Sequence, residues 1–399
     1  MRYVSTRGRA PALGFCDCLL AGLARDGGLY VPETWPTFSA AEIRALSGLS
    51  YADVAIKVMT PFATGAGGLK PEVFARLCHE AYARFEHKAV APLVQLGPNL
   101  WLLELFHGPT LAFKDYAMQL LGRLFDHVLE ERGAKITIVG ATSGDTGSAA
   151  IEACRDRHAI EIFILHPKGR VSEGQRRQMT TVTSENVHNV AIEGTFDDCQ
   201  DLLKGLFNDE TFRDQVNLSG VNSINWARIL GQVVYYFYAA VALGAPEREI
   251  AFAVPTGNFG NIYAGYVARA MGLPIHHLTL VTNRNDILSR FLDSGQLAIG
   301  AVEPSLSPSM DIQVASNFER YLFELYGRDG AALAADMEAF RRDRTLTVAA
   351  ERFKAARGFF DGARVTDDET VATIARFHGE TGEILDPHSA VAEIGRAHV

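Results

Sequence analysis

The sequence predicts an α/β protein with mainly parallel sheets flanked by helices, preceded by an N-terminal α+β subdomain. Three observations carry this reading. From about Leu100 onward, short apolar segments rich in β-branched residues alternate with helical stretches, the pattern of strands buried on both faces and joined by crossover helices. Two glycine-rich loops each follow one of these strands and lead into a helix, where an open parallel sheet presents its ligands. Before residue 93 the pattern differs, with short strands set among helices and no regular alternation.

Taken in order, Arg2 to Gly8 reads as a strand running into a turn, Cys18 to Ala24 as a helix, and Asp26 to Pro32 as a turn and short strand stopped by proline. Helical stretches follow at Ala40 to Leu46 and Pro71 to Phe85, completing a subdomain over residues 1–92. The expected strands are Leu100 to Leu105, Lys135 to Val139, Glu161 to Leu165, Val187 to Ile192, Ile250 to Val254 and His277 to Val281. Helices fit Tyr116 to Leu129, Ser148 to Cys154, Asp197 to Leu206, Arg228 to Leu243 and Ile262 to Met271. The chain from Ala331 onward reads as mostly helical. Residues 93–392 form the larger region, with a smaller subdomain at about 115–210.

Composition narrows the function. The 399 residues exceed what one small core organises, and 48% of them are hydrophobic, which excludes a disordered chain. No apolar run reaches bilayer length, and the N-terminus lacks a basic stretch leading into an apolar core, so a cytoplasmic location is expected. The net charge is −9, with basic residues clustered only between Lys168 and Arg177, which argues against a nucleic-acid partner. Cys16, Cys18, Cys78, Cys154 and Cys199 are odd in number and scattered. They make neither a disulfide framework nor a zinc site, and no metal is expected.

The chemistry centres on His107-Gly108-Pro109-Thr110-Leu111-Ala112-Phe113-Lys114-Asp115-Tyr116. Lys114 opens a helix directly after Leu-Ala-Phe, so its stem lies against apolar surface, where an amine loses its proton readily and becomes competent to form an imine. Alone, such a residue reads as a surface lysine lying along apolar neighbours. The two loops change the balance. Gly140-Ala141-Thr142-Ser143-Gly144-Asp145-Thr146-Gly147 is small, hydroxyl-rich and helix-leading, suited to gripping a carboxylate or phosphate. Pro255-Thr256-Gly257-Asn258-Phe259-Gly260-Asn261 has two glycines that permit close backbone approach and a helix dipole behind it that favours an anion. Neither is a dinucleotide fingerprint or a P-loop. Together with Lys114 they fit one small phosphorylated cofactor.

These three stretches resemble the threonine synthase family of bacterial and fungal type. So do Tyr3-Val4-Ser5-Thr6-Arg7-Gly8, Asp26 to Pro32, Asn222-Ser223-Ile224-Asn225-Trp226-Ala227-Arg228-Ile229, Pro308-Ser309-Met310-Asp311-Ile312, Ser316 to Arg320 and Asp386-Pro387-His388-Ser389-Ala390. The likeness covers nearly the whole chain in order. It implies the fold-type II architecture, similar to the tryptophan synthase β chain, and pyridoxal 5'-phosphate as cofactor. It implies that Lys114 is joined to the cofactor and moves protons, and that Gly257, Asn258, Phe259, Gly260 and Asn261 hold the cofactor phosphate. Asp145 then lies near the cofactor's phenolic oxygen, and Thr142, Ser143, Gly144 and Thr146 meet the substrate carboxylate. The implied reaction turns O-phospho-L-homoserine and water into L-threonine and phosphate, by γ-elimination and addition of water at the β carbon. Cations for the substrate phosphate are sought in Arg228, beside Asn225 at a helix start, then in Lys168 and Arg170. His107 and His388 are read as hydrogen-bonded scaffolding. A monomer or homodimer is expected.

Two features depart from the family. Its chains continue beyond the Asp-Pro-His motif into a Thr-Ala-His-Pro segment, whose threonine hydroxyl meets the cofactor's pyridine nitrogen, whereas this chain stops at Val399. Residues Glu393 to Val399 correspond to a translated sequencing-library adapter, so the native sequence is expected to end near Ala392, with residues 393–399 a non-native tail. The competing readings are a sister fold-type II lyase, such as a threonine dehydratase or phospholyase, and an inactive, truncated or purely binding protein.

Overall fold

The computed structural model describes residues 1–397; positions 398 and 399 of the expected tail lie outside the described residues. In the N-terminal part, β1 (Tyr3–Ser5) pairs antiparallel with β2 (Tyr30–Pro32), and α1 (Phe15–Ala21) lies between them. α2 (Ala40–Arg44) starts at a Ser39–Glu42 capping box. α3 (Tyr51–Ala63) and α4 (Pro71–Tyr82) follow. The sequence reading missed α3, although Asp53, Lys57 and Thr60 mark its outward face opposite the buried Tyr51, Val54, Ala55, Val58 and Phe62; Pro61 in its last turns breaks the helical signal.

β3 (Leu93–Gly97) and β4 (Leu100–Leu103) form an antiparallel hairpin. This corrects the expectation that Leu100 to Leu105 opens the parallel alternation. Only Pro98 and Asn99 separate the strands, Asn99 at φ 60, and a two-residue turn joins antiparallel neighbours alone.

The four-stranded parallel sheet follows α5 (Asp115–Arg132). Its strands are β5 (Ile136–Ala141), β6 (Ile160–Pro167), β7 (Val187–Ile192) and β8 (Leu218–Ser219), in the order β7-β6-β5-β8. They alternate with α6 (Asp145–Cys154), α7 (Glu173–Thr180), α8 (Phe196–Asn208) and α9 (Glu210–Gln215). After α10 (Trp226–Ala242) comes the second parallel sheet, built from β9 (Ile250–Pro255) and β10 (Ile275–Thr282) around α11 (Gly260–Ala270). α12 (Ile287–Ser294) and the small antiparallel pair β11 (Gln296–Ala298) and β12 (Thr345–Thr347) enclose α13 (Phe318–Leu325) and α14 (Gly330–Asp343). α15 (Ala350–Arg357) leads to β13 (Phe360–Arg364), which joins β10 to give the order β13-β10-β9, and α16 (Asp367–Thr381) and α17 (Pro387–Ala397) close the fold. The region after Ala331 is thus interrupted by β12 and β13. The Phe-Asp-Gly-Ala-Arg run of β13 lacks β-branched residues, so it carried no strand signal.

α10 is the central helix. It is apolar nearly all round and packs on α3, α5 and α11. Small residues let it approach: a Cβ at Gly231 would lie 2.9 Å from Ala117 of α5. The same device seats α5 on α6, where a Cβ at Gly122 would lie 2.2 Å from the Ala153 carbonyl oxygen. Two buried arginines tie the N-terminal part to α13. Arg7 makes a two-pronged pair with Glu319 at 3.0 and 2.9 Å, joined by the Thr6 hydroxyl at 2.7 Å. Arg320 donates to the carbonyls of Tyr30 at 3.1 Å, Ser223 at 3.0 Å and Ile224 at 2.6 Å, and to the Asn317 side chain.

Gly122→Ala is expected to destabilise the protein by about 1–3 kcal/mol, because the methyl meets backbone that cannot turn aside. Urea unfolding followed by far-ultraviolet circular dichroism measures it, and an unchanged midpoint would show that α5 and α6 can separate without cost.

Candidate active site

Lys114 is the residue before the first turn of α5, and its side chain is nearly buried. Its Nζ pairs with Oδ2 of Asp145, the first residue of α6. The four-stranded sheet therefore supplies the carboxylate, from the end of β5, and the helix that precedes that sheet supplies the amine. Burial alone would raise the Asp145 pKa, but the Lys114 cation and the hydrogen bonds from Ser309 and Thr146 outweigh it and hold this carboxyl well below the usual range. Asp115 is different. It is buried, accepts Thr110 N and Oγ1 at 2.8 Å each, and burial leaves its pKa raised. Asp115 thereby shapes the approach to Lys114, while Asp145 faces it.

The loop between β5 and α6 folds around Thr142. Its buried hydroxyl accepts the amides of Gly144 at 2.9 Å and Gly147 at 2.8 Å. Thr142, expected to meet the substrate, thus has its oxygen engaged as an acceptor inside the loop. Ser143 is half-buried, and its hydroxyl has no partner among the described residues, which leaves it available beside the start of α6. Thr146 donates its amide to Asp145 Oδ1 at 2.7 Å. Gly144 stands at φ 142, and a Cβ there would lie 2.0 Å from Gln175 Oε1. A cleft of about 290 Å³ opens here, lined by Thr110, Leu111, Asp145, Ser172, Gln175 and Gln178.

The second loop ends β9 and starts α11. Asn258 Oδ1 accepts Gly260 N at 3.0 Å, and its Nδ2 donates to Ser223 Oγ at 2.9 Å. Asn317 braces the same hydroxyl at 2.8 Å and donates its own amide to the Asn258 carbonyl. Phe259 takes the left-handed region at φ 66, its ring buried among Phe318, Tyr321 and Phe360. Asn261 Oδ1 receives the hydroxyls of Tyr235 and Tyr236. The amides of Gly257, Asn258, Phe259 and Asn261 have no acceptor among the described residues. Four unclaimed donors at the start of an eleven-residue helix fit a phosphate group. The glycines permit close approach of a different kind. A Cβ at Gly257 would press on Met310 Cα at 3.0 Å and the Ser309 carbonyl at 3.1 Å, and one at Gly260 on Asn258 and Asn317. They therefore admit the protein's own segments rather than clear space for a phosphate.

The predicted cations fare unequally. Arg228 is fully buried within α10, donates to the Val221 carbonyl at 2.8 Å and lies against Met118, and burial pushes its guanidinium down to about 10. It is scaffold on the α5 side of the site, not a residue of the cleft wall. Asn225 is also withdrawn: its side chain caps α10 through Ala227 N and donates to the Leu19 carbonyl at 2.9 Å. Lys168 is exposed and pairs with Glu193 at 2.8 Å. Arg170 is exposed two residues before Ser172, which lines the cleft. His107 pairs with Glu104 at 2.8 Å, and His388 accepts Ser309 N at 3.3 Å. The sequence reading missed Gln175, Ser309 and Arg320 as contributors. A capping signature, Ser172-Glu173-Gly174-Gln175, was there to be read for Gln175.

A lysine ion-paired at a helix start, faced by two strand-to-helix loops of two parallel sheets, defines a pyridoxal-phosphate enzyme of fold-type II. Residues 87–348 match the family model for pyridoxal-phosphate-dependent enzymes, and residues 2–82 match that for the threonine synthase N terminus. The chain is 58% identical over 391 residues to threonine synthase of Pseudomonas aeruginosa, covering 98% of this chain and 83% of that protein. It superposes on pyridoxal-phosphate-bound threonine synthase from Brucella melitensis with a TM-score of 0.96 at 57% identity, covering 100% of this chain and 85% of that one. With the yeast enzyme the TM-score is 0.91 at 40% identity, over 100% and 83%. The chain belongs to the threonine synthase family.

Gly144→Ala is expected to cost about 1–3 kcal/mol of stability in the cofactor-free protein, because φ 142 is open only to glycine and the methyl overlaps Gln175. Differential scanning calorimetry measures it; a parental midpoint would mean that the loop relaxes freely.

Proposed function

We propose that this chain converts O-phospho-L-homoserine and water into L-threonine and phosphate, with pyridoxal 5'-phosphate as cofactor. The observation that carries the reading is the Lys114–Asp145 pair, linked through Ser309 to the loop that starts α11. The unclaimed amides of Gly257, Asn258, Phe259 and Asn261 fit the cofactor phosphate, with Gly260 setting the helix start. Bound there, the cofactor supplies an electron sink for carbanion character at the substrate's α and β carbons. Lys114 Nζ removes and returns protons at those carbons, a contribution on the order of 10²–10⁴-fold. Ser143, with the free amides at the start of α6, suits the substrate carboxylate, and Asp145 keeps Lys114 aimed. Phosphate leaves from the γ carbon, hydroxyl from water bonds to the β carbon, and the γ carbon gains a proton. A sister lyase acting on unphosphorylated substrates needs no second cation. Arg170, exposed beside the Ser172 side of the cleft, supports the phosphorylated substrate, since Arg228 is buried and Lys168 is paired. Threonine formation inside the cytoplasm accords with a chain in which no described helix is long and apolar enough to cross a membrane.

Lys114→Ala is expected to abolish turnover and the covalent attachment of cofactor together, and Lys114→Arg is expected not to rescue either, since a guanidinium stays protonated. Borohydride reduction followed by peptide mass spectrometry reads the attachment; an adduct persisting in Lys114→Ala would move it to another lysine. Arg170→Ala is expected to raise the KM for O-phosphohomoserine about tenfold, in proportion to one charge-assisted contact. An equal loss on an unphosphorylated amino acid would deny Arg170 the phosphate.

A further inference from the structure

The turn Pro308–Met310 brings a hydroxyl onto the catalytic carboxylate. Ser309 Oγ donates to Asp145 Oδ2 at 2.6 Å, the same oxygen that takes Lys114 Nζ, while Oδ1 accepts from Thr146 N. During turnover Lys114 has to leave this pair to carry protons. Oδ2 then keeps one side-chain donor among the described residues, and that donor is Ser309. A buried carboxylate stripped of its cation tends to take up a proton, and here it would compete with Lys114 for the proton being moved.

Ser309 is itself fixed on two further sides. Its N–H donates to His388 Nε2 at 3.3 Å, and its carbonyl and the adjacent Met310 Cα occupy the space that the missing side chain of Gly257 leaves open. His388 Nδ1 lies 3.0 Å from Asp386 Oδ1, and the Asp386 carboxylate also receives the His388 and Ser389 amides and the Ser389 hydroxyl at the start of α17. Because an N–H points at Nε2, that nitrogen is the bare one, and Nδ1 carries its hydrogen toward Asp386. Carboxylate, imidazole, turn, hydroxyl and catalytic carboxylate thus form one chain of contacts from α17 to Lys114.

We propose that Ser309 is a positioning residue, which keeps Asp145 ionised and aimed at the Lys114 nitrogen throughout the proton transfers, and that His388 and Asp386 set the turn that carries it. This rests on the reading of Lys114 as the proton-carrying group and goes beyond it in assigning three further residues.

The test uses the full chain loaded with pyridoxal 5'-phosphate and compares Ser309→Ala with the hydroxyl-keeping Ser309→Thr. Ser309→Ala is expected to change the ratio of the bound cofactor's two absorbance bands, measured without substrate. It is also expected to lower kcat on O-phosphohomoserine about tenfold with little change in KM, the size of one hydrogen bond to a charged group. Ser309→Thr is expected to restore the band ratio and most of kcat. A parental band ratio and kcat in Ser309→Ala would overturn the proposal. So would equal impairment of the alanine and threonine variants, which marks mere packing. If Ser309→Ala does not fold, His388→Ala and His388→Gln decide: the alanine variant should shift the band ratio and the glutamine variant, which keeps an acceptor, should not. A parental ratio in His388→Ala overturns the proposal. The substrate-free spectrum separates this claim from the substrate reading, since a shifted ratio in a protein that makes no threonine would sink only the latter.

Discussion

The buried guanidinium of Arg320 has no carboxylate among its hydrogen-bond partners in the described residues, and much of the architecture hangs on that arrangement. Its donors reach carbonyls of β2 and of the Ser223–Ile224 segment before α10, together with the Asn317 side chain. Burial lowers its pKa to about 10, which still leaves it charged at neutral pH. Carbonyl dipoles from three separate parts of the chain thus do the work that a counter-ion does elsewhere. Removing any one of those parts exposes an unsatisfied charge, so the N-terminal subdomain, α10 and α13 are obliged to assemble together. The Arg7–Glu319 pair lies one residue away and repeats the tie with opposite charges.

This brace stands behind the loop that joins β9 to α11. Asn317, one of the partners of Arg320, also holds Ser223 and the Asn258 carbonyl. The left-handed conformation of Phe259 is paid for by aromatic packing on Phe318 and Phe360. Rigid support of this kind leaves four of the loop amides without an acceptor among the described residues. On the opposite wall the logic is reversed. The loop before α6 ties the amides of Gly144 and Gly147 to Thr142, and what it presents is a carboxylate, Asp145, paired to the amine of Lys114. One wall is prepared for an anion and the other holds a charge pair that can open.

Much of this was legible in the sequence. Strand-to-helix alternation, two glycine loops and a lysine after Leu-Ala-Phe were enough to locate β5, β9, Lys114 and Asp145. What stayed hidden has physical causes. The α3 helix carries Pro61 within its apolar run, which reads as a helix breaker, and β13 is held as a strand by its place beside β10 rather than by propensity. Arg228 and Asn225 were misjudged because a motif shows which residues are near a site without showing which way they face. Both turn inward, one to the Val221 carbonyl and one to Leu19. Ser309 was hidden for a different reason: its meaning lies in a contact across 164 residues, which no local pattern encodes.

That same separation bears on how the molecule comes into being. The contacts that finish the site are among the most distant in the chain: Thr6 meets Glu319 across 313 residues, and Asp145 waits for Ser309, which in turn waits for His388. Closing such long loops is slow compared with forming a helix or a hairpin. Synthesis from the N-terminus therefore yields Lys114 and its loop well before the elements that restrain them. The frame around the amine and the carboxylate is therefore complete only when α13 and α17 have docked on the elements made before them.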